Sequence, residues 1–183
     1  VEAGVTGRLL EIWTAPQAAA PMVRSAAAQA VAGGGLSGDR YASGGGTWAS
    51  YPLQEKQVTL IDADEVAAVA AEVGVPLTPG LTRRNLVTRG LLLPSLVGRY
   101  FTVGEVLLFG TKRCPPCTHL ERLTGWKLVK PLAARGGVNA AVFTDGTVAE
   151  GDVLRPVSDA EAAERGAPVG ADRPVPRIVA LPD

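Results

Sequence analysis

A chain of 183 residues that is 46% hydrophobic is long enough to bury one sizeable core and short for two domains. Its 18 Lys/Arg balance 18 Asp/Glu, which argues against a general polyanion-binding protein, and its two cysteines cannot form a disulfide framework. No run of about 18 apolar residues is free of charges or breakers, and the start lacks a positive segment followed by an apolar one; membrane spans and a signal peptide are therefore not expected, and the default location is the cytosol.

Val5 to Trp13 reads as an opening strand, and Ala15 to Pro21 as a loop into a second extended segment. Gly33 to Tyr41 is a turn-rich connection, followed by a polar, glycine-rich loop through Ser50. Gln57 to Ile61 is a short β-branched strand leading into the clearest helix, Ala63 to Val73, with Asp62 as N-cap, Glu65 three residues on and Gly74 to close it. Leu81 to Val87 carries Arg83-Arg84-Asn85 and turns into a strand, after which Pro94 and Gly98 break the chain. Tyr100 to Phe109 reads as a hairpin turning at Val103-Gly104-Glu105. After the cysteines, Thr118 to Thr124 makes one or two helical turns. Gly136 to Thr144 and Thr147 to Leu154 read as two strands joined by Asp145-Gly146, a pair favoured in tight hairpins. From about residue 157 the chain is rich in Ala, Pro and charge, with a possible helix at Asp159 to Arg165, and is expected to pack loosely or to wrap. Many short strands with frequent Gly and Pro predict a mainly β fold, a barrel or sandwich with a few inserted helices.

The scarcest reactive side chains fall together in Lys112-Arg113-Cys114-Pro115-Pro116-Cys117-Thr118-His119, which holds both cysteines and the only histidine. Structural zinc wants four ligands and this segment offers three. A thioredoxin-type pair has the right local setting, strand before and helix after, but the chain lacks the βαβ alternation of that fold. A reactive thiol is the third reading: Lys112, Arg113 and a helix start would favour the thiolate, and Cys117 sits nearer the helix than Cys114. Inert buried thiols are the fourth. His119 is either a proton shuttle or a histidine at the surface or the edge of the core.

Between Arg83 and Arg135 stand ten Lys/Arg against Glu105 and Glu121, leaving +8 there and −8 elsewhere. Such a concentration around the cysteines suggests a local anion site, such as one phosphate, rather than a nucleic-acid track. Gly33, Gly35 and Gly38 spell G-x-G-x-x-G without the strand and helix of a dinucleotide fold, so that run reads as a turn. Its Arg40 could help hold an anion or could simply pair with Asp39. Arg83, Arg84 and Asn85 supply guanidinium forks and an amide; on a strand the two arginines would face opposite ways, so they act together only from a loop. One histidine supports no Ser-His-Asp argument, and no carboxylate pair suggests glycosidase work.

Taken in order, the opening strand, Gly35-Leu36-Ser37-Gly38-Asp39-Arg40-Tyr41, Gln57 to Ile61, Arg83-Arg84-Asn85-Leu86, Gly104 to Leu108, Arg113-Cys114-Pro115-Pro116-Cys117, Gly137 to Val142, Gly146 and Gly151-Asp152 resemble the MOSC domain, named for the C-terminal domain of molybdenum cofactor sulfurases. The resemblance covers residues 4–157 and leaves 158–183 as a C-terminal tail. It implies a barrel-like β fold and a molybdenum cofactor context, in which a family cysteine carries sulfur as a persulfide or ligates the metal. The Arg-x-x-Pro-Cys pattern of stand-alone members maps onto Arg113, Pro116 and Cys117, with Cys114 an addition common to one subgroup and an auxiliary or resolving thiol. Arg40, Arg83, Arg84, Lys112 and Arg113, with Asn85, would then hold the pterin phosphate or molybdate oxygens. No desulfurase, amidoxime-reductase-type partner domain or iron–sulfur motif occurs in these residues. A cofactor or sulfur carrier would therefore work with a cofactor or sulfur donor protein, and a reductase of N-hydroxylated compounds with a separate electron-transfer partner. A thiol–disulfide oxidoreductase using Cys114 and Cys117 is the reading from another class; no role with nucleic acid or membrane is expected.

Overall fold

The computed structural model describes residues 5–47 and 56–176; residue 4, the end of the glycine-rich loop at 48–50 and the last seven residues of the tail lie outside these. Seven strands close into a ring. They are β1 (Gly7–Thr14), β5 (Val58–Asp62), β6 (Leu86–Arg89), β7 (Tyr100–Val103), β8 (Val106–Arg113), β9 (Val138–Val142) and β11 (Val153–Pro156). The order is β11-β7-β8-β9-β5-β6-β1, and pairing of Gly7 with Leu154 and Arg8 with Val153 returns β1 to β11. β2 (Val23–Ser25) extends the sheet beyond β1, while β3 (Ala27–Val31), β4 (Gly35–Leu36) and β10 (Gly146–Ala149) form a separate small sheet. The expected mainly β barrel is what the chain forms.

Alternation along the strands explains the closure. In β8, Val106 and Leu108 join the interior core, while Leu107 and Phe109 face outward into a second cluster with Tyr100, Ala162 and Ala167. The four residues are apolar without a break because both faces are covered, as expected of a strand buried on two sides. The outer cover here is the tail. Helix α4 (Asp159–Glu164) brings Ala162 against the strands, the Tyr100 hydroxyl donates to the Pro168 carbonyl at 2.5 Å, and Arg173 stacks near Tyr100 and Phe109 while donating to the Gly98 carbonyl at 2.6 Å. Of the two alternatives for this segment, its described part, as far as residue 176, wraps.

β5 and β6 are the one parallel pair of the ring, and parallel neighbours need a crossover. Helix α1 (Ala63–Val73) supplies it, with the bounds its caps dictate: Asp62 Oδ1 accepts from the Asp64 and Glu65 amides, and Gly74 closes at φ 70°. Its Val66 and Val69 bury against Ile61 and Val87 outside the barrel, together with Leu120 of α2 (Thr118–Thr124) and Leu132 of α3 (Val129–Leu132). No helix among the described residues is long and apolar enough to cross a membrane.

The hairpin expected at Asp145-Gly146 does not form. Both edges of β9 are already taken, by β8 on one side and β5 on the other, so β10 has no edge of β9 to join and pairs with β3 instead. Asp145 turns the chain differently, accepting the Ala32 amide at 2.7 Å. Nor is Thr147 to Leu154 one strand: Gly151, at φ 93°, divides it into β10 and β11.

Replacing Leu108, 1% exposed in the interior, by Ala is expected to cost about 3 kcal/mol, whereas Asp62→Ala at the helix cap should cost about 1 kcal/mol. Urea denaturation of the two variants beside the parent checks the ranking.

Candidate functional site

Between the β5–β6 side of the barrel and the start of α2 lies a cleft of about 380 Å³ lined by Arg40, Tyr41, Thr47, Lys56, Thr59, Thr82, Arg83, Arg84, Lys112, Arg113, Cys114, Pro115, Pro116, Cys117, His119, Leu120 and Asn139. Six of these are cations and none is a carboxylate. Concave, partly apolar and of one charge sign, it suits a small anionic ligand.

The wall is built around one buried acid. Asp39, with no exposure, accepts from the Ala15 and Tyr41 amides at 3.2 and 3.1 Å, from Arg40 Nη1 at 3.1 Å and from Asn85 Nδ2 at 3.0 Å. The local Asp39–Arg40 pairing anticipated from the sequence is thus present, and Arg40 still faces the cleft. Arg40 Nη2 also donates to the Arg83 carbonyl at 3.0 Å, and its guanidinium lies 4.9 Å from the Tyr41 ring centre.

Arg83 and Arg84 both reach the cleft because they precede β6 rather than belonging to it. A 3-10 turn over Pro79–Thr82 ends at Arg83, whose φ of 61° is left-handed and unusual for a residue other than glycine. Arg83 Nη1 donates to the Ala20 carbonyl at 2.8 Å, whereas its Nη2 is buried and has no hydrogen-bond partner among the described residues. Burial, then the neighbouring Arg40 charge, makes the protonated guanidinium less favourable and lowers its pKa. Arg84 is differently employed. It donates to the carbonyls of Gly136 at 2.9 Å, Thr82 at 3.3 Å, Cys114 at 2.8 Å and Pro115 at 3.4 Å, and so clamps the cysteine segment from below.

Asn85 does not line the cleft. It is fully buried: its Oδ1 accepts the Thr59 amide and hydroxyl at 3.1 and 2.9 Å, and its Nδ2 donates to Asp39 and the Trp13 carbonyl, both at 3.0 Å. With its amide so occupied it holds β5, β6 and the end of β1 to the Asp39 turn, a structural part rather than a ligand contact.

β8 runs on into Lys112 and Arg113 past an irregularity in its pairing with β9, and the Cys114 amide then donates to the Gly137 carbonyl at 2.9 Å. Gly136 makes this approach possible, since a Cβ there would stand 2.5 Å from the Cys114 carbonyl oxygen and 3.1 Å from Pro116. Cys117 is the N-cap of α2, and its carbonyl accepts the Leu120 amide at 2.9 Å. Both cysteines are free and partly exposed, and both line the cleft. No group of three metal-ligating side chains is present among the described residues.

His119, one helical step beyond, faces the same space with Nε2 3.4 Å from the Thr47 hydroxyl. Burial and the charges of Arg122, Arg83 and Arg40 all disfavour the imidazolium, so its pKa is lowered. Burial raises that of Tyr41, which stays a neutral phenol.

Of the ten cations in the basic segment, Arg83, Arg84, Lys112 and Arg113 line the cleft, while Arg89, Lys127 and Arg135 pair with acids elsewhere. Arg40 and Lys56 come from outside that segment. Six further polar lining residues carry no assignment from the sequence: Tyr41, Thr59 and Asn139 lie within the runs that carry the family resemblance, whereas nothing local marks Thr47, Lys56 or Thr82.

Asp39→Ala should cost about 3–5 kcal/mol, because it leaves Arg40 and the Asn85 amide without their buried acceptor, and thermal or urea unfolding measures it. His119, as the only histidine, gives one imidazole titration by NMR; its midpoint is expected below the ordinary value of 6.5, with the ring neutral at pH 7, and Arg122→Gln should move that midpoint upward.

A family model for the MOSC domain matches residues 31–155, a span that contains every residue of the cleft. No curated protein sequence matches the chain. Among solved structures, the YUAD protein from Bacillus subtilis aligns with a TM-score of 0.69 at 17% identity, over 81% of this chain and 94% of that one. YiiM from Geobacillus stearothermophilus gives 0.65 at 16% identity, over 83% and 75%. YiiM from Escherichia coli gives 0.60 at 18% identity, over 89% and 80%. At such identities these likenesses concern the fold, whereas the family match covers most of the sequence: the chain belongs to the MOSC domain family.

Proposed function

We propose that the cleft holds the molybdenum cofactor, the phosphate-bearing pterin with which the MOSC family is associated, and that the protein carries this cofactor or its sulfur. In this reading Cys117 ligates the metal or bears sulfur as a persulfide. The observation that carries it is the meeting, in one cleft, of two free thiols with six cations and, among the described residues that line it, no carboxylate.

The residues present fit such a group. Arg83 Nη2 is a buried donor without a partner among the described residues, and a phosphate oxygen is an acceptor that would satisfy it. Arg40, tied to Asp39 and to the Arg83 carbonyl, would complete the phosphate end with its remaining donors. Lys112 and Arg113 flank the cysteines as further positive charge. Arg84 would act on the ligand through the backbone it holds. A thiolate is the soft ligand that such a metal, or sulfane sulfur, calls for. Once bound, the cofactor would supply a redox-active metal with exchangeable sulfur and oxygen ligands. The chain itself binds, orients and shields: the guanidiniums fix the anionic end, and Pro115, Pro116 and Leu120 form an apolar wall beside the thiols. Loading would depend on a cofactor or sulfur donor protein.

Protein from a cofactor-competent host should contain pterin, seen by fluorescence after oxidation, and molybdenum in near-equal amounts. Arg83→Ala should lower pterin content at least about tenfold, the loss of one charge-assisted contact. Cys117→Ser should keep the pterin and lose metal or sulfane sulfur. The reading fails if the parent binds no pterin, or if Cys117→Ser retains pterin, metal and sulfane sulfur alike. Turnover of an N-hydroxylated substrate with an added electron donor would make the protein a reductase. Reversible disulfide exchange without any pterin would make it a thiol–disulfide oxidoreductase.

A further inference from the structure

We infer that Cys114 is the resolving thiol of the cleft, releasing sulfur carried on Cys117 by attacking that persulfide; the inference rests on the sulfur-carrier reading above. Two thiols end one short arch. Between them stand Pro115 and Pro116, whose rings fix φ and which have no amide hydrogen to bond elsewhere. The arch is anchored at both ends and from beneath: the Cys114 amide on Gly137, the Cys117 carbonyl on Leu120, and Arg84 on the carbonyls of Cys114 and Pro115. Arg84 is therefore a positioning residue for the Cys114 end of the arch, while the start of α2 holds the Cys117 end, and both thiols line one cleft. Cys114 and Cys117 are the sulfur nucleophiles among the lining residues, and neither is tied up in a disulfide. With only two residues between them and one cleft shared, the second thiol is an intramolecular attacker on the first.

The step balances without an external oxidant. A bond forms between the sulfurs of Cys114 and Cys117, and the bond from Cys117 to its sulfane sulfur breaks. The sulfane sulfur leaves with that electron pair and with the proton of the Cys114 thiol, as hydrosulfide. The two cysteine sulfurs are oxidised to a disulfide and the sulfane sulfur is reduced to sulfide. The cationic lining retains the anionic product in the cleft. A reductant of the dithiol class returns the pair to free thiols, and a persulfide-bearing donor reloads Cys117.

The test uses the full chain, reduced with a dithiol, desalted, loaded with glutathione persulfide and desalted again. Released sulfide and the intact mass after alkylation are then followed in time. The parent is expected to release one sulfide per chain while a Cys114–Cys117 disulfide appears. Cys114→Ser and, independently, Cys114→Ala should keep the extra sulfur on Cys117 and release sulfide at least tenfold more slowly. Equal retention and equal release in parent and variants would overturn the inference alone, as would loading of the parent on Cys114 instead. If the parent takes up no sulfane sulfur on either cysteine, the carrier reading fails and this inference falls with it.

Discussion

The buried Asp39 carboxylate is the point on which the cleft depends. An isolated charge with no exposure would be untenable, and Asp39 is stable only because Arg40, Asn85 and two backbone amides converge on it. Those partners come from three places in the chain: the end of β1, the glycine-rich turn itself and, with Asn85, the residue before β6; Asn85 in turn ties the body of β5 to the same point through Thr59. Satisfying one acid therefore fixes the relative position of every segment that contributes the phosphate end of the proposed site. It also sets the charge of the wall, since the carboxylate offsets one guanidinium while five other cations face the cleft.

The arginines look alike in sequence and do different work. Arg84 gives most of its donors to backbone carbonyls and holds the cysteine segment. Arg40 divides its donors between the buried acid and a carbonyl and still faces the cleft. Arg83 alone keeps a buried donor with no described partner, in a left-handed backbone conformation that is costly for a residue with a side chain. Strain and a buried donor without a partner among the described residues, both at Arg83, mark a place where stability has been given up. A ligand that accepts from Arg83 recovers the hydrogen-bond part of that cost.

The barrel supplies rigidity on the other side. β8 is paired along both edges, by β7 and β9, and covered on both faces, by the interior core and by the wrapped tail. Its last residues carry the chain into Cys114 from a strand with little freedom to move. Loops hold the chemistry and a closed sheet fixes the ends of those loops, the usual division between scaffold and site. A second cleft, beside α1 and the Gly90–Pro94 segment, shares Arg113 with the first, but of its acids Asp62 caps α1 and Asp64 and Glu65 are paired with Arg89 and Arg135.

Local chemistry was legible in the sequence wherever the decisive contacts are local. The bounds of α1 follow from Asp62 and Gly74 and the β7–β8 turn from Gly104, because caps and turns involve residues only a few positions apart. The ordered motifs also gave the fold class, since strand patterning and turn chemistry survive in a single chain. What tertiary structure decided is the partner of each group. Asp145-Gly146 has hairpin chemistry, yet β9 had no free edge, and edge occupancy is a property of the whole sheet. Asn85 and Arg84 have the side chains of ligand-binding residues, yet a buried acid 46 positions away claims one and the carbonyls of the cysteine segment claim the other. Lys56 carries no local mark and is brought to the site only when β5 takes its place in the ring. The sequence determined which groups could bind an anion; their burial and long-range partners determined which of them still have donors to give.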